Sequence, residues 1–274
     1  MSRLQERRLA LIGAGNMGFA LLEGWAGQGL QGKAVTIIDP HPSAQLQTLC
    51  KNKGFDLFTE AQSSLPSDAV VLAIKPQMLD ASIRTAEYFL HSGAVLISIL
   101  AGKSINNLSA RFPQVTSIVR AMPNTPAAVG RGMTGLYAND ATSAEQRDLT
   151  ESLLKPISKI EWLSQENEID ILTAISGSGP AYVFYLVECL AAAGVKQGLS
   201  PALSQKLARA TIEGAGELLY QLPDVSAEEL RKRVTSPGGT TAAALAILMK
   251  DDGLSLVLEQ AVSAAKRRAE ELGG

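Results

Sequence analysis

The chain has 274 residues, 46% hydrophobic and 19% charged, a length that suits two domains and a composition that buries a sizeable core and excludes a disordered chain. Its net charge of −2 argues against a nucleic-acid binder, which needs a basic face; the basic clusters at 231–233 and 266–268 read as solvated helix faces. Cys50, Cys189, His41 and His91 are each isolated, so a disulfide framework, a zinc site and a Ser-His-Asp triad all lack their residues, and the two thiols suit a reducing cytoplasm.

Positive charges precede "RLALIG" (8–13), as in a signal peptide, but the apolar run stops at Gly13 and reads as a first strand. No later stretch reads as a membrane helix. A helical stretch follows at 16–29, a strand "AVTIID" at 34–39, and a helix at 43–54 closed by Gly54. "AVVLAIKP" (69–76), "GAVLISIL" (93–100) and "TSIVRAMP" (116–123) are three further buried strands with helical stretches between them. Near-continuous Val/Ile/Leu runs alternating with helices predict a parallel sheet covered on both faces.

After about Asn139 the pattern changes. A helix at 143–157 and a strand "IEWL" (160–163) lead into helices only. The boundary is expected between 164 and 165, giving a nucleotide domain 1–164 and a helical domain 165–274. "GPAYVFYLVECLAAAG" (179–194) carries a single charge, Glu188, and must be buried on every side. It lies either at the domain centre or in a subunit interface; the small size of a helical domain favours the interface, with a two-fold axis. "SPALSQKLARATIEGAGELLYQL" (200–222) opens on a Ser-Pro start signal, and the last helix covers 254–272.

Gly13-Ala14-Gly15-Asn16-Met17-Gly18 lies between the first strand and the first helix. In such a fingerprint the first glycine permits the tight turn, the second lets a pyrophosphate approach the helix N-terminus, and the third lets helix and strand pack closely. Asp39 ends the next strand about 20 residues on, the spacing of the acid that accepts from a ribose 2′-OH and repels a 2′-phosphate. The expected fold is therefore α/β: an N-terminal Rossmann-type doubly wound sheet followed by an all-helical dimerisation domain. The cofactor expected from Asp39 is NADH, with NADPH tolerated. Lys75, Pro76, Asn124 and Pro126 follow strands at the carboxyl edge and are candidates to line the nicotinamide pocket, although the prolines also serve simply to stop strands.

A second glycine-rich turn, "SPGGTT" (236–241), opens directly onto an apolar helical run. Free N–H groups and the helix dipole there make an anion pocket for a carboxylate or phosphate. Plain N-capping by Thr240 or Thr241 is the alternative, and it does not require the preceding Pro-Gly-Gly. "ISGSGPAY" (175–182) is a third such element; it is no nucleophile elbow, and Ser178 there serves either close backbone packing or hydrogen bonding.

"IGAGNMG", "SGSGPAY" and "VTSPGGTTAAAL", with "AIKPQ" and "RAMPNTPA" in order between them, resemble the pyrroline-5-carboxylate reductases over nearly the whole chain. The resemblance implies reduction of 1-pyrroline-5-carboxylate by NAD(P)H, the last step of proline biosynthesis, in cytoplasmic homodimers that often assemble into decamers. It implies that Gly239, Thr240 and Thr241 hold the substrate carboxylate and that the Thr241 hydroxyl, the catalytic group, reaches the ring nitrogen. Cofactor contacts would fall on Ile12, Gly13, Ala14, Gly15, Asn16, Met17, Ala73, Ile74, Lys75, Pro76 and Ala101. Asp224, ahead of the 226–234 helix, is a weaker match to the family's acid and would border the substrate. Asp39 departs from the pattern, since many members carry a small hydroxyl or basic residue there. A basic cyclic imine is readily protonated, so positioning does most of the chemistry. A β-hydroxyacid dehydrogenase would need a lysine where Val183 stands, and a non-catalytic nucleotide-binding protein would leave the pocket at 238–241 unexplained.

Overall fold

The computed structural model describes residues 3–61 and 66–273. They divide into two compact units, Met1–Gly177 with Lys266–Gly274, and Ser178–Ala265. The short helix that follows the last strand packs on the sheet and so belongs to the first unit.

The first unit is an eight-stranded sheet in the order β3-β2-β1-β4-β5-β6-β7-β8. Its strands are β1 (Leu9–Ile12), β2 (Val35–Ile38), β3 (Asp56–Phe58), β4 (Ala69–Leu72), β5 (Val95–Ser98), β6 (Ser117–Met122), β7 (Gly132–Ala138) and β8 (Ser158–Trp162). All neighbours pair parallel except β6 and β7. The expected α/β architecture is therefore present, with two strands the sequence did not reveal. β3 is only three residues long, and β7, "GMTGLYA", is interrupted by glycines, so neither forms a strong apolar run.

Helices α1 (Asn16–Gly27), α2 (Ala44–Lys53), α3 (Leu79–Glu87), α4 (Ile105–Arg111) and α5 (Ala144–Leu154) cover the sheet. The two-residue period of the strands sorts their side chains onto opposite faces. Leu9, Leu11, Val71 and Ile97 join Leu21, Leu22 and Trp25 of α1 and Leu153 of α5 in one core. Ala10, Ile12, Leu72 and Leu96 join Leu79 of α3 and Leu108 of α4 in the other. Each fully buried leucine contributes about 2 kcal/mol of transfer free energy. Trp25 keeps its polar end satisfied by donating to the Leu153 carbonyl at 2.7 Å. Helix starts follow local chemistry: Ser43, Ser104 and Ser143 each accept the N–H three residues on.

Beyond β8, α6 (Glu168–Leu172) passes into a π-turn at Thr173–Gly177. The second unit holds α7 (Gly179–Lys196), α8 (Pro201–Gln221), α9 (Ala227–Arg233), α10 (Thr240–Leu248) and most of α11 (Leu254–Gly273). Within it α7 and α8 pair closely, and a Cβ on Gly194 would stand 2.6 Å from Ser204 Oγ.

No residue of α7 is buried in the protomer, and Phe184 and Tyr185 are 63% and 66% exposed. The alternative that placed α7 at a domain centre is therefore wrong. An apolar surface of this extent marks an interface. The sequence reading also missed that the helical run Glu168–Lys196, with an 18-residue stretch of mean hydropathy 1.3, is long and apolar enough to cross a membrane by length and composition. The run begins well before Gly179, which hid its length.

Candidate active site

Because the strands from β3 to β6 run parallel, the chain leaves β1, β4, β5 and β6 at one edge of the sheet. Gly13–Met17, Asp39, Ala73–Pro76, Ala101 and Asn124 all follow strands at that edge, where ligands of doubly wound sheets bind. Order β2-β1-β4 puts the fingerprint at the switch between β1 and β4.

The fingerprint glycines have separate causes. Gly13 has φ +87, and a Cβ there would lie 2.8 Å from the Ala73 carbonyl oxygen. A Cβ on Gly18 would lie 2.5 Å from the Gly13 carbonyl oxygen, so α1 could not approach β1. Gly15 faces open space, with no atom within 4 Å of an added Cβ. It caps α1 without a side-chain hydrogen bond. The first-turn amides after it, from Asn16 on, lack intrahelical acceptors, an arrangement that fits a pyrophosphate.

Two amides of the loop are already engaged. Gly13 N–H donates to the Ile38 carbonyl at 2.8 Å. Ala14 N–H donates to Asp39 Oδ2 at 2.8 Å, and Asp39 Oδ1 accepts from His41 N–H at 2.8 Å. Asp39 thus clamps the glycine turn to the end of β2, a role its sequence position alone did not disclose.

Asn124 follows β6 and is also heavily engaged. Its Nδ2 donates to the Ser176 carbonyl and hydroxyl, each at 3.1 Å, and its Oδ1 accepts from Met133 N–H at 2.8 Å. Lys75 is exposed and leads into the 3-10 turn Pro76–Met78. Ala101 is exposed in the loop after β5.

A charged cluster that sequence reading missed lies beside this loop. Arg120, only 6% exposed on β6, pairs with Glu166 at 2.8 Å. Burial raises the Asp170 carboxyl above its usual range; Arg120 opposes the rise, and Glu270 and Glu166 add to it. A lone arginine inside the apolar strand "SIVRAM" was the available signal.

In the second unit, Ser178 precedes α7 without capping it, and Pro180 occupies the first turn. Gly239 is the N-cap of α10 and no side chain caps that helix, so the capping alternative for Thr240 or Thr241 is not realised. The preceding Gly238 has φ +70, a conformation open to glycine at little cost. One correction applies to the expected amide cluster: Gly239 N–H donates to the Ser236 carbonyl at 3.0 Å. The first-turn amides that helix geometry leaves without acceptors therefore begin at Thr240 and continue through Thr241 and Ala242. Thr241 is half-buried, and Asp224 is exposed.

Residues 166–272 match the family model described as pyrroline-5-carboxylate reductase dimerisation, and residues 8–102 match NADP oxidoreductase coenzyme F420-dependent. A pyrroline-5-carboxylate reductase of Pseudomonas aeruginosa is 38% identical, covering 97% of this chain and 96% of that protein. That of Pasteurella multocida is 35% identical, covering 98% of each.

The chain belongs to the pyrroline-5-carboxylate reductase family.

The fold agrees. A pyrroline-5-carboxylate reductase from Coxiella burnetii superposes with a TM-score of 0.89 at 31% identity, covering 98% of this chain and 99% of that one. The Plasmodium falciparum pyrroline carboxylate reductase, solved with NADP bound, gives 0.80 at 30% identity, covering 98% and 99%. Like its family, the chain is an NAD(P)H-dependent oxidoreductase, and its helical half is a dimerisation domain. The exposed apolar face of α7 is accounted for by that domain, where a membrane span would have been the other reading.

Proposed function

We propose that the chain reduces the C=N bond of 1-pyrroline-5-carboxylate to give L-proline, and that the substrate carboxylate is held by the first-turn amides of α10. The single observation carrying this reading is an α10 N-terminus that begins at Gly239 with no capping side chain. Thr240 and Thr241 offer unpaired N–H groups there, and the helix dipole adds about half a positive charge. Gly238 and Gly239 keep the approach free of side chains. The Thr241 hydroxyl serves the ring nitrogen, and Ser178 and Asp224 border the substrate.

Bound NAD(P)H supplies the hydride. The chain's own part is to seat the pyrophosphate on the amides after Gly15, wall the nicotinamide with Ala73–Pro76, Ala101 and the loop carrying Asn124, and fix the imine in place. Little acid–base work is required, because a cyclic imine is readily protonated near neutral pH. Asp39 disfavours a 2′-phosphate, so NADH is used in preference to NADPH. The nucleotide and dimerisation domains meet near residues 164–165, a reading supported by the dimerisation match that starts at residue 166; the protein works in the cytoplasm, and its dimers assemble further, into decamers.

Mixing the protein with pyrroline-5-carboxylate and each cofactor separately, and following absorbance at 340 nm, tests the reaction. Oxidation with both cofactors, faster at low concentration with NADH, is expected. No oxidation with either would leave a nucleotide-binding module without this chemistry.

A further inference from the structure

The loop after β5 carries Ala101 and is gripped from two directions within the first unit. On one side, Glu166 Oε1 accepts the Ile105 N–H at 2.7 Å, where the loop turns into α4. The same oxygen accepts Arg120 Nη1 at 2.8 Å. Ser104 Oγ accepts the Asn107 N–H at 3.1 Å, so the Ser104 cap and Glu166 serve different amides of one helical turn. On the other side, the last turn of α11 lies against the loop, and a Cβ on Gly102 would meet the Leu272 carbonyl oxygen at 2.7 Å.

The arrangement is economical in a way plain stabilisation does not require. Arg120 is almost fully buried and needs a counter-charge, which any nearby carboxylate orientation would supply. Instead, the one oxygen that meets Arg120 also holds the amide at the end of the Ala101 loop. The charge in the core of the sheet thereby fixes where Glu166 sits, and Glu166 fixes the loop. We infer that Glu166 is a positioning residue for the dinucleotide, acting through the Ile105 amide on the loop that presents Ala101. The inference rests on the reading that Ala101 borders the cofactor.

Three variants in the full-length protein test it: Glu166→Ala, Glu166→Gln and Ala101→Trp. NADPH affinity is measured by fluorescence titration, and amide hydrogen exchange at Ile105 is followed without cofactor. Ala101→Trp, which crowds the loop, is expected to weaken NADPH binding. Glu166→Ala is expected to speed exchange at Ile105 and to weaken NADPH binding about tenfold, equivalent to about 1.4 kcal/mol. Its kcat at saturating cofactor is expected to stay within about twofold of wild type, since a binding change alone leaves kcat in place. Glu166→Gln keeps an acceptor oxygen for Ile105 but loses the charge that Arg120 fixes, so it is expected to speed exchange at Ile105 less than the alanine variant and to weaken NADPH binding about threefold, and it carries the test if the alanine variant does not fold. Faster exchange with unchanged affinity in both Glu166 variants, while Ala101→Trp binds poorly, would overturn the inference and leave the cofactor placement intact. Unchanged affinity in Ala101→Trp would overturn the placement, and the inference with it.

Discussion

Asn124 and Ser176 are joined twice: the Asn124 amide nitrogen donates to the Ser176 carbonyl and to its hydroxyl, each at 3.1 Å. The pairing has a local cause. Pro180 lacks the N–H that would serve the Ser176 carbonyl four residues back, and its ring crowds that carbonyl. The helix answers with the π-turn Thr173–Gly177, and the freed carbonyl finds Asn124. Asn124→Ala would strand both this carbonyl and the Met133 N–H in part-buried surroundings. A loss of about 1–3 kcal/mol is expected, read as a lower denaturant midpoint at unchanged m-value. An unchanged midpoint would mean that water replaces the amide at no cost.

Thr241 tests the chemistry. Its hydroxyl is a hydrogen-bonding partner for the ring nitrogen and a weak acid at best. Thr241→Ala is therefore expected to lower kcat by about 10- to 100-fold, the scale of one lost hydrogen bond to a charged group, without abolishing turnover. Near-wild-type turnover at saturating substrate would remove Thr241 from the reaction.

Asp39 carries two expectations at once, because it clamps Ala14 N–H and also sets the charge where a 2′-phosphate would lie. Asp39→Asn keeps an acceptor oxygen and removes the charge. The ratio of kcat/KM for NADPH to that for NADH is expected to rise about fivefold, corresponding to a solvent-screened charge interaction of about 1 kcal/mol. A ratio that does not move would assign Asp39 to the loop alone.

Asp170 gives a pH dependence with a definite sign. Its folded-state pKa is raised, chiefly by burial, so its contribution to stability is fully present below the unfolded value of about 3.9 and is lost as pH rises through the folded value. Asp170→Asn cannot ionise and escapes that loss. Its melting temperature is expected to exceed that of wild type at pH 7, with the advantage shrinking as pH falls towards 4. An advantage that grows on acidification would reverse the sign.

Much of the first unit was legible in its residues because burial on both faces forces continuous apolar strands, as in "LALI" and "AVVL". Helix starts at Asn16, Ala44 and Pro201 were equally plain, announced by the fingerprint, by Ser43 and by Ser-Pro. β7 was not, since its glycines break the pattern and its antiparallel partner β6 supplies the order. The fingerprint and the turn at 236–241 stood out because both expose backbone amides at helix entrances. What could not be read was pairing at a distance. Nothing adjacent to Arg120 or Asp39 names Glu166 or the Ala14 amide, and only the fold brings them within 2.8 Å. The Gly239–Ser236 hydrogen bond is the opposite case, a local detail that moves the start of the free amides by one residue.

The most direct test is a crystal structure of the protein with proline and oxidised cofactor bound. The account predicts the proline carboxylate at the α10 N-terminus, its oxygens about 2.7–3.2 Å from the Thr240 and Thr241 amide nitrogens. A carboxylate bound away from those amides, with the α10 N-terminus facing only water or protein, would contradict it.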